Sequence, residues 1–377
     1  MKKFISIWCA FFVLFSNTVF AENFQMETTA KSVLLMEQST GKVLFENNAD
    51  EKLPIASVTK VMTMLLIMEE IDRGNLKMDD MVYVSERAMS MGGSTMFLEA
   101  GEELSVYEML KGISVASAND GCVAMAEHIS GSEETFVNRM NERAKELGME
   151  NTNFINTNGL DIEGHYSSAR DVAIMSRELL KHEKIFEFTT IWTDKMHDGK
   201  FDLSNTNKLI RFYPGANGLK TGSTSNAKCC ISASAKRDDL GLIAVVLGAE
   251  NSDDRFQSAK KLLDYGFSNY SVEKIVGSGE EICILPVKKG VVETVSVVAK
   301  NEYSVLLGKN EKDMVDREII LPKSIKAPIK EGDVIGEIKV IKNDEVIGEV
   351  ELVAKTSVKK KSFTDYLGEI FSKLFGV

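Results

Sequence analysis

Residues 55–71 read as a helix that is apolar on nearly all of its sides, a pattern that only burial in the middle of a domain can satisfy. The chain must therefore build a large core around this segment, and 377 residues are enough for that and for a second domain. Ahead of the helix, Ser32-Val33-Leu34-Leu35-Met36 and Lys42-Val43-Leu44-Phe45 flank a polar turn at Gly41 and read as a hairpin. After it, helical spacing recurs over residues 106–115, 121–129, 133–147 and 169–180. Ser105 and Glu108 have the spacing of a capping box, and Asp171 sits in a first turn, where an acid suits the helix dipole. Strand patterns return at 218–222, 228–235 and 240–247, and a closing helix covers 255–265. A strand pair, many helices and then three strands predict an α/β (α+β) domain, in which one antiparallel sheet is assembled from both ends and a helical lobe lies to one side.

Beyond about residue 270 the pattern changes. Runs at 281–285, 294–299, 304–307 and 346–353 cluster β-branched residues between turns rich in Gly and Lys, which predicts a small all-β domain. It carries no catalytic constellation and reads as a spacer or docking module. In the tail, Phe363, Tyr366, Leu367, Ile370, Phe371, Leu374 and Phe375 follow helical spacing after Lys359-Lys360-Lys361. A segment of roughly 21 Å is too short to span a bilayer. A basic linker followed by an aromatic-rich amphipathic helix fits a membrane surface better than a packed terminus, so residues 359–377 are expected to lie on one.

The N-terminus has the form of a secretory signal: Lys2 and Lys3, an apolar run over 5–15, and small residues around Val19-Phe20-Ala21. Cleavage after Ala21 would place the mature chain outside the cytoplasmic membrane. The net charge of −11 argues against nucleic acid as a partner. Cys122, Cys229, Cys230 and Cys283 then remain, and adjacent Cys229 and Cys230 point to opposite faces of a strand. Free, mostly buried thiols are expected. No ligand cluster suggests a metal, and no cofactor is expected.

Three short motifs carry the chemistry. Ser57-Val58-Thr59-Lys60 puts a serine and a lysine on one face of the buried helix, just after Pro54. A lysine among Val58, Val61, Met62 and Met64 loses its proton more easily, because burial disfavours the charged form. Lys60 can then serve as general base for a Ser57 nucleophile. Ser117-Ala118-Asn119 falls between two helices, where Ser117 can relay a proton and the Asn119 amide can meet a peptide backbone. Lys220-Thr221-Gly222 belongs to a strand that reads as a sheet edge, open to an added peptide strand. Lys220 and Thr221 suit an anionic terminus, and Gly222 allows close backbone approach. Each motif alone has an ordinary explanation: an N-cap serine beside a snorkelling lysine, helix-end polar residues, or a solvated edge lysine.

Taken together, S-x-x-K, S-x-N and K-T-G in this order resemble the penicillin-recognising serine acyl-enzymes, and within them the low-molecular-mass D-alanyl-D-alanine carboxypeptidases. Further similar stretches include Gly92-Gly93-Ser94 with Met96-Phe97-Leu98, and Asn158-Gly159-Leu160-Asp161 leading to Gly164-His165-Tyr166-Ser167. Asn205-Thr206-Asn207-Lys208 ahead of Pro214-Gly215, and Arg255 with the helix that follows it, are similar as well. The resemblance implies a β-lactamase/transpeptidase-like catalytic domain that cleaves the terminal D-alanine from peptidoglycan stem peptides and is acylated by β-lactam antibiotics. It further implies an oxyanion hole from the N–H groups of Ser57 and Ser223, and a substrate carboxylate held by Arg255. The expected organisation is a signal at 1–21, a catalytic domain at 22–270, the all-β domain at 271–356 and the membrane-surface helix at 357–377. Three alternatives stand beside it: a β-lactamase, a transpeptidase, or an idle penicillin-binding module. The β-lactamase needs a second base, for which Glu163 lies in the right interval, and usually has Asp where this chain has Ala118.

Overall fold

The computed structural model describes residues 26–375 apart from His197, Asp198 and Lys200; the expected signal lies outside the described residues. Its centre is a five-stranded sheet in the order Val43–Asn47, Ser32–Glu37, Leu240–Ala249, Lys228–Arg237, Ala216–Thr224. Every neighbouring pair is antiparallel, so the sheet is made from the two ends of the domain as the strand order predicted. Alternating side chains serve opposite faces. Leu34, Met36, Ile243 and Val245 join the core of the helical lobe, while Val33, Leu35, Leu242 and Ala244 pack under the helix Ser252–Asn269. With both faces covered, all ten residues of Leu240–Ala249 are buried.

The helices Asn119–Ser130, Glu133–Glu146 and Ala169–Leu179 lie where their spacing put them. Ser105 accepts a hydrogen bond from the Glu108 N–H at 3.2 Å and caps its helix as expected. Two helices differ from their sequence pattern. The helix over 55–71 is divided: Ala56–Thr59 is a 3-10 turn and the α-helix runs from Lys60 to Asp72. Ala56 has φ +48°, outside the right-handed helical region, so no α-helix can pass through it. The helix from Val106 stops at Lys111 and widens into a π turn, Gly112–Ala116, which ends at Ser117 in the left-handed conformation. Both interruptions fall at a motif.

The C-terminal part is all-β, with a six-stranded sheet among its elements. Its long pair, Val334–Lys342 with Glu345–Ala354, includes a strand that the sequence pattern did not reveal. Lys360 bridges back to Gly290, after which the helix Phe363–Phe375 begins. Phe363, Ile370 and Leu374 on that helix are exposed, so this apolar stripe is not packed away. No helix among the described residues is long and apolar enough to cross a membrane. The four cysteines among the described residues are free thiols, with Cys122 and Cys230 buried.

Candidate active site

The divided helix sets the geometry. The 3-10 turn leaves Ser57 half-buried at the surface of the core, and the next turn carries Lys60 straight into it, with no solvent exposure. Lys60 Nζ lies 2.8 Å from Ser57 Oγ, 2.7 Å from Asn119 Oδ1 and 2.7 Å from the Asn158 carbonyl oxygen. Three acceptors suit an ammonium. The same set also suits the free amine, which donates twice, to Asn119 and Asn158, and offers its lone pair to the Ser57 hydroxyl. Burial pulls the Lys60 pKa down to about 8, against a smaller opposing pull from Cys122 and Asp120.

Asn119 reaches this point because Ser117, at φ +64°, turns the chain sharply before the helix Asn119–Ser130 starts. The Asn119 side chain is engaged at both ends: Oδ1 accepts from Lys60, and Nδ2 donates to the Gly92 carbonyl at 2.7 Å. Its backbone N–H donates to Ser94 O at 2.8 Å. The buried carboxylate of Asp120 accepts from the N–H groups of Met96 and Leu98 at 3.1 and 3.2 Å. Residues 92–98 are thereby wrapped around the S-x-N motif. Ser117 is buried beside it, but its hydroxyl is not one of the three groups that Lys60 meets.

Ala216–Thr224 is the edge strand of the sheet, as its motif required. A Cβ at Gly222 would lie 2.9 Å from the Ser57 nitrogen and 2.7 Å from Ile55 O, so only glycine lets this strand rest against the turn that carries Ser57. Lys220 is buried and donates to Thr221 O at 2.9 Å, while the Thr221 hydroxyl donates to Thr206 at 2.7 Å. Burial first, then the charges of Lys60 and Arg255, drive the Lys220 pKa well below the usual lysine range. Arg255 lies over the Phe256 ring and donates to Gly222 O at 3.3 Å. Its buried Nε has no partner, and burial lowers its pKa. Ser223 is exposed beside Gly222, and Glu163 is exposed in a turn remote in sequence from all three motifs.

The structure therefore joins Ser57, Lys60, Asn119, Gly222 and Arg255 through direct contacts and carries Lys220, Thr221 and Ser223 on the same edge strand. Sequence reasoning missed the Asn158 carbonyl, a backbone acceptor. It also missed Gly159, where a Cβ would lie 1.8 Å from Ala56 O, and the pairing of His165 Nε2 with the Thr59 hydroxyl at 2.8 Å. The segments containing them had been singled out by resemblance, without a role for any of the three.

The sequence profile described as D-alanyl-D-alanine carboxypeptidase matches residues 18–251. This chain belongs to the D-alanyl-D-alanine carboxypeptidase family of serine peptidases. A second profile, described as penicillin-binding protein 5, C-terminal domain, matches residues 270–360. The carboxypeptidase is 48% identical to D-alanyl-D-alanine carboxypeptidase DacF of Bacillus subtilis, over 90% of this chain and 88% of that one. It is 33% identical to DacC of Escherichia coli over 97% and 95% of the two chains. Among solved structures, penicillin binding protein 5 from Haemophilus influenzae superposes with a TM-score of 0.71 at 31% identity, covering 89% of this chain and 99% of that one. Penicillin-binding protein D2 from Listeria monocytogenes, in its ampicillin-bound form, aligns with a TM-score of 0.59 at 30% identity, covering 64% and 99%.

Proposed function

We propose that the enzyme removes the terminal D-alanine from peptidoglycan stem pentapeptides through an acyl-enzyme on Ser57. The observation that carries this reading is the 2.8 Å approach of a fully buried lysine amine to the serine hydroxyl. Lys60, as free base, takes the proton of Ser57 Oγ as that oxygen bonds to the carbonyl carbon of the penultimate residue. The N–H groups of Ser57 and Ser223 hold the resulting oxyanion. Collapse of the intermediate breaks the peptide C–N bond, and Lys60 returns the proton through Ser117 to the departing D-alanine nitrogen. Water then attacks the ester, giving the shortened peptide and restoring the serine.

Arg255 supplies positive charge, Thr221 a hydroxyl and Lys220 an N–H donor for the substrate's terminal carboxylate, and Gly222 leaves room for the peptide to lie along the edge strand. Asn119 braces Lys60 through Oδ1, and the second N–H of its amide, beside the one given to Gly92, is offered to the substrate backbone. A β-lactam follows the same first step, but its opened ring stays attached to the acyl group. The catalytic unit occupies 22–270 and the all-β unit 271–356. The exposed stripe of Phe363–Phe375, preceded by Lys359, Lys360 and Lys361, rests on the outer face of the cytoplasmic membrane after export.

The test is mass spectrometry with a pentapeptide ending in D-alanyl-D-alanine, together with labelling by a fluorescent penicillin. Release of one alanine, and an adduct on the peptide containing Ser57 that disappears in Ser57→Ala, is the expected result. Persistent labelling of Ser57→Ala at another residue defeats the assignment. Crosslinked dimer as the main product would make the enzyme a transpeptidase.

A further inference from the structure

We propose that Thr59 and His165 are positioning residues of the oxyanion hole, fixing the Ala56–Ser57 peptide so that its N–H points at the reacting carbonyl. The inference rests on the reading that the Ser57 N–H is an oxyanion donor. It concerns residues to which the acyl-enzyme mechanism gives no part.

One chain of hydrogen bonds runs from Ile155 through His165 and Thr59 to the Ala56 carbonyl. The Ile155 N–H lies 3.1 Å from His165 Nδ1. A backbone N–H can only donate, so Nδ1 carries no proton and Nε2 does. Nε2 lies 2.8 Å from Thr59 Oγ1, which therefore accepts from the ring. The Thr59 hydroxyl spends its single proton on Ala56 O, 2.8 Å away. All three bonds run in one direction and end on a carbonyl whose peptide partner is the N–H of Ser57.

A peptide is planar, with its oxygen and its N–H on opposite sides, so a group that fixes the oxygen also aims the N–H. Donation to the carbonyl polarises the amide and makes that N–H a better donor. The peptide needs such a restraint because Ala56 has φ +48°, a backbone region unfavourable for a residue with a Cβ. Two glycines frame it. A Cβ at Gly159 would lie 1.8 Å from Ala56 O, and one at Gly222 would lie 2.9 Å from Ser57 N. The imidazole itself is held edge-on to Phe154, with ring centroids 5.8 Å apart, and is only 7% exposed. Burial lowers the His165 pKa to about 4, so the ring stays neutral at ordinary pH and keeps a lone pair for Ile155.

The test uses four variants of the full mature protein. Thr59→Val keeps the shape and removes the hydroxyl, and Thr59→Ser keeps the hydroxyl. His165→Gln places an amide donor near the Nε2 position. His165→Asn keeps an acceptor for Ile155 but cannot reach Thr59. For each, kcat and KM are measured on a D-alanyl-D-alanine peptide, with the inhibition constant of a peptide boronic acid and the unfolding midpoint. The boronate adduct sets an oxygen where the oxyanion would be. Outright loss of an oxyanion donor costs about 100- to 1000-fold in kcat, so a misaimed donor should cost about 10- to 100-fold.

Thr59→Val and His165→Asn are expected to lose that much kcat and a similar factor in boronate affinity, with KM within about twofold of wild type. Thr59→Ser and His165→Gln are expected to recover most of both. The inference is overturned if Thr59→Val and His165→Asn turn over within twofold of wild type, or if their unfolding midpoints fall while boronate affinity holds. A loss in Thr59→Ser equal to that in Thr59→Val overturns it too. Should Thr59→Val not fold, His165→Asn decides. Failure of the underlying reading looks different: the wild-type boronate or penicillin adduct would map to a residue other than Ser57.

Discussion

If Lys60 must be neutral to accept the proton of Ser57, the rate of acylation reports its ionisation. An ordinary lysine has a pKa of 10.5, and burial brings Lys60 to about 8. At pH 7 that shift raises the free-base fraction from about 0.03% to about 9%, roughly 300-fold, which is the difference between an idle and a working base. The sign follows from the neutral form being active: the rate rises with pH. The second-order rate constant for acylation by a fluorescent penicillin, measured by stopped flow from pH 6 to 10, should climb nearly tenfold from pH 6 to 7, about fivefold from pH 7 to 8, and then level.

Lys60→Met, close in volume and lacking the amine, should acylate about a hundred to ten thousand times more slowly and lose the slope. A flat profile from pH 6 to 9, or one that levels only near pH 10, would refute the reasoning. The Lys220 amine is buried as well, and burial together with the charge of Lys60 holds its pKa below the usual lysine range. The variants separate the two. The inflection should survive Lys220→Met and vanish in Lys60→Met, and the reverse outcome would make Lys220 the base.

Three further outcomes follow from the structure. Gly159→Ala places a methyl 1.8 Å from Ala56 O at a backbone φ of +86°; overpacking and strain together should cost about 2–5 kcal/mol and suppress labelling, whereas an unfolding midpoint within a degree of wild type would count against it. His165 titrates at about 4 in the fold against 6.5 when free, with Asp161 as the charged neighbour opposing the shift. The unfolded chain takes up this proton first, so the stability contribution is complete above pH 6.5, falls away toward pH 4 and totals about 3 kcal/mol. In denaturant unfolding, wild type should therefore lose about 3 kcal/mol relative to His165→Gln between pH 7 and pH 4, and parallel curves would exclude the linkage. Truncation after Val358 should abolish binding to vesicles of anionic lipid while leaving turnover of a small peptide unchanged; equal binding by the full mature protein would make the tail a packing element.

Patterns of burial made most of the fold legible. The hairpin at the N-terminus, the late strands and the helices of the lobe each bury a face whose period survives in the sequence, and chain order then dictates how the sheet is assembled. What was hidden has specific causes. Ala56 is an alanine in a run of apolar residues, and nothing in its identity announces φ +48°. The π turn before Ser117 interrupts a helix without a proline, and its single glycine, Gly112, gives little warning. In the C-terminal unit, Val334–Lys342 mixes Ile and Val with Lys and Glu on a half-exposed surface, so its alternation is diluted.

The site divides along the same line. Ser57, Lys60 and Lys220 were legible because their chemistry resides in side chains set at fixed offsets. Asn158 acts at Lys60 through its carbonyl oxygen, and every residue has one, so composition holds no trace of that contact. Asn119 was legible as an amide beside the site, but its Oδ1 is committed to Lys60 and its Nδ2 to Gly92. The bracing of a buried amine demands this. An ammonium withdrawn from water keeps its geometry only where fixed acceptors replace its hydration, and with two of three N–H groups held by Asn119 and Asn158, the third direction is left to Ser57. The contacts that hold the amine in this direction become visible only when the chain is folded.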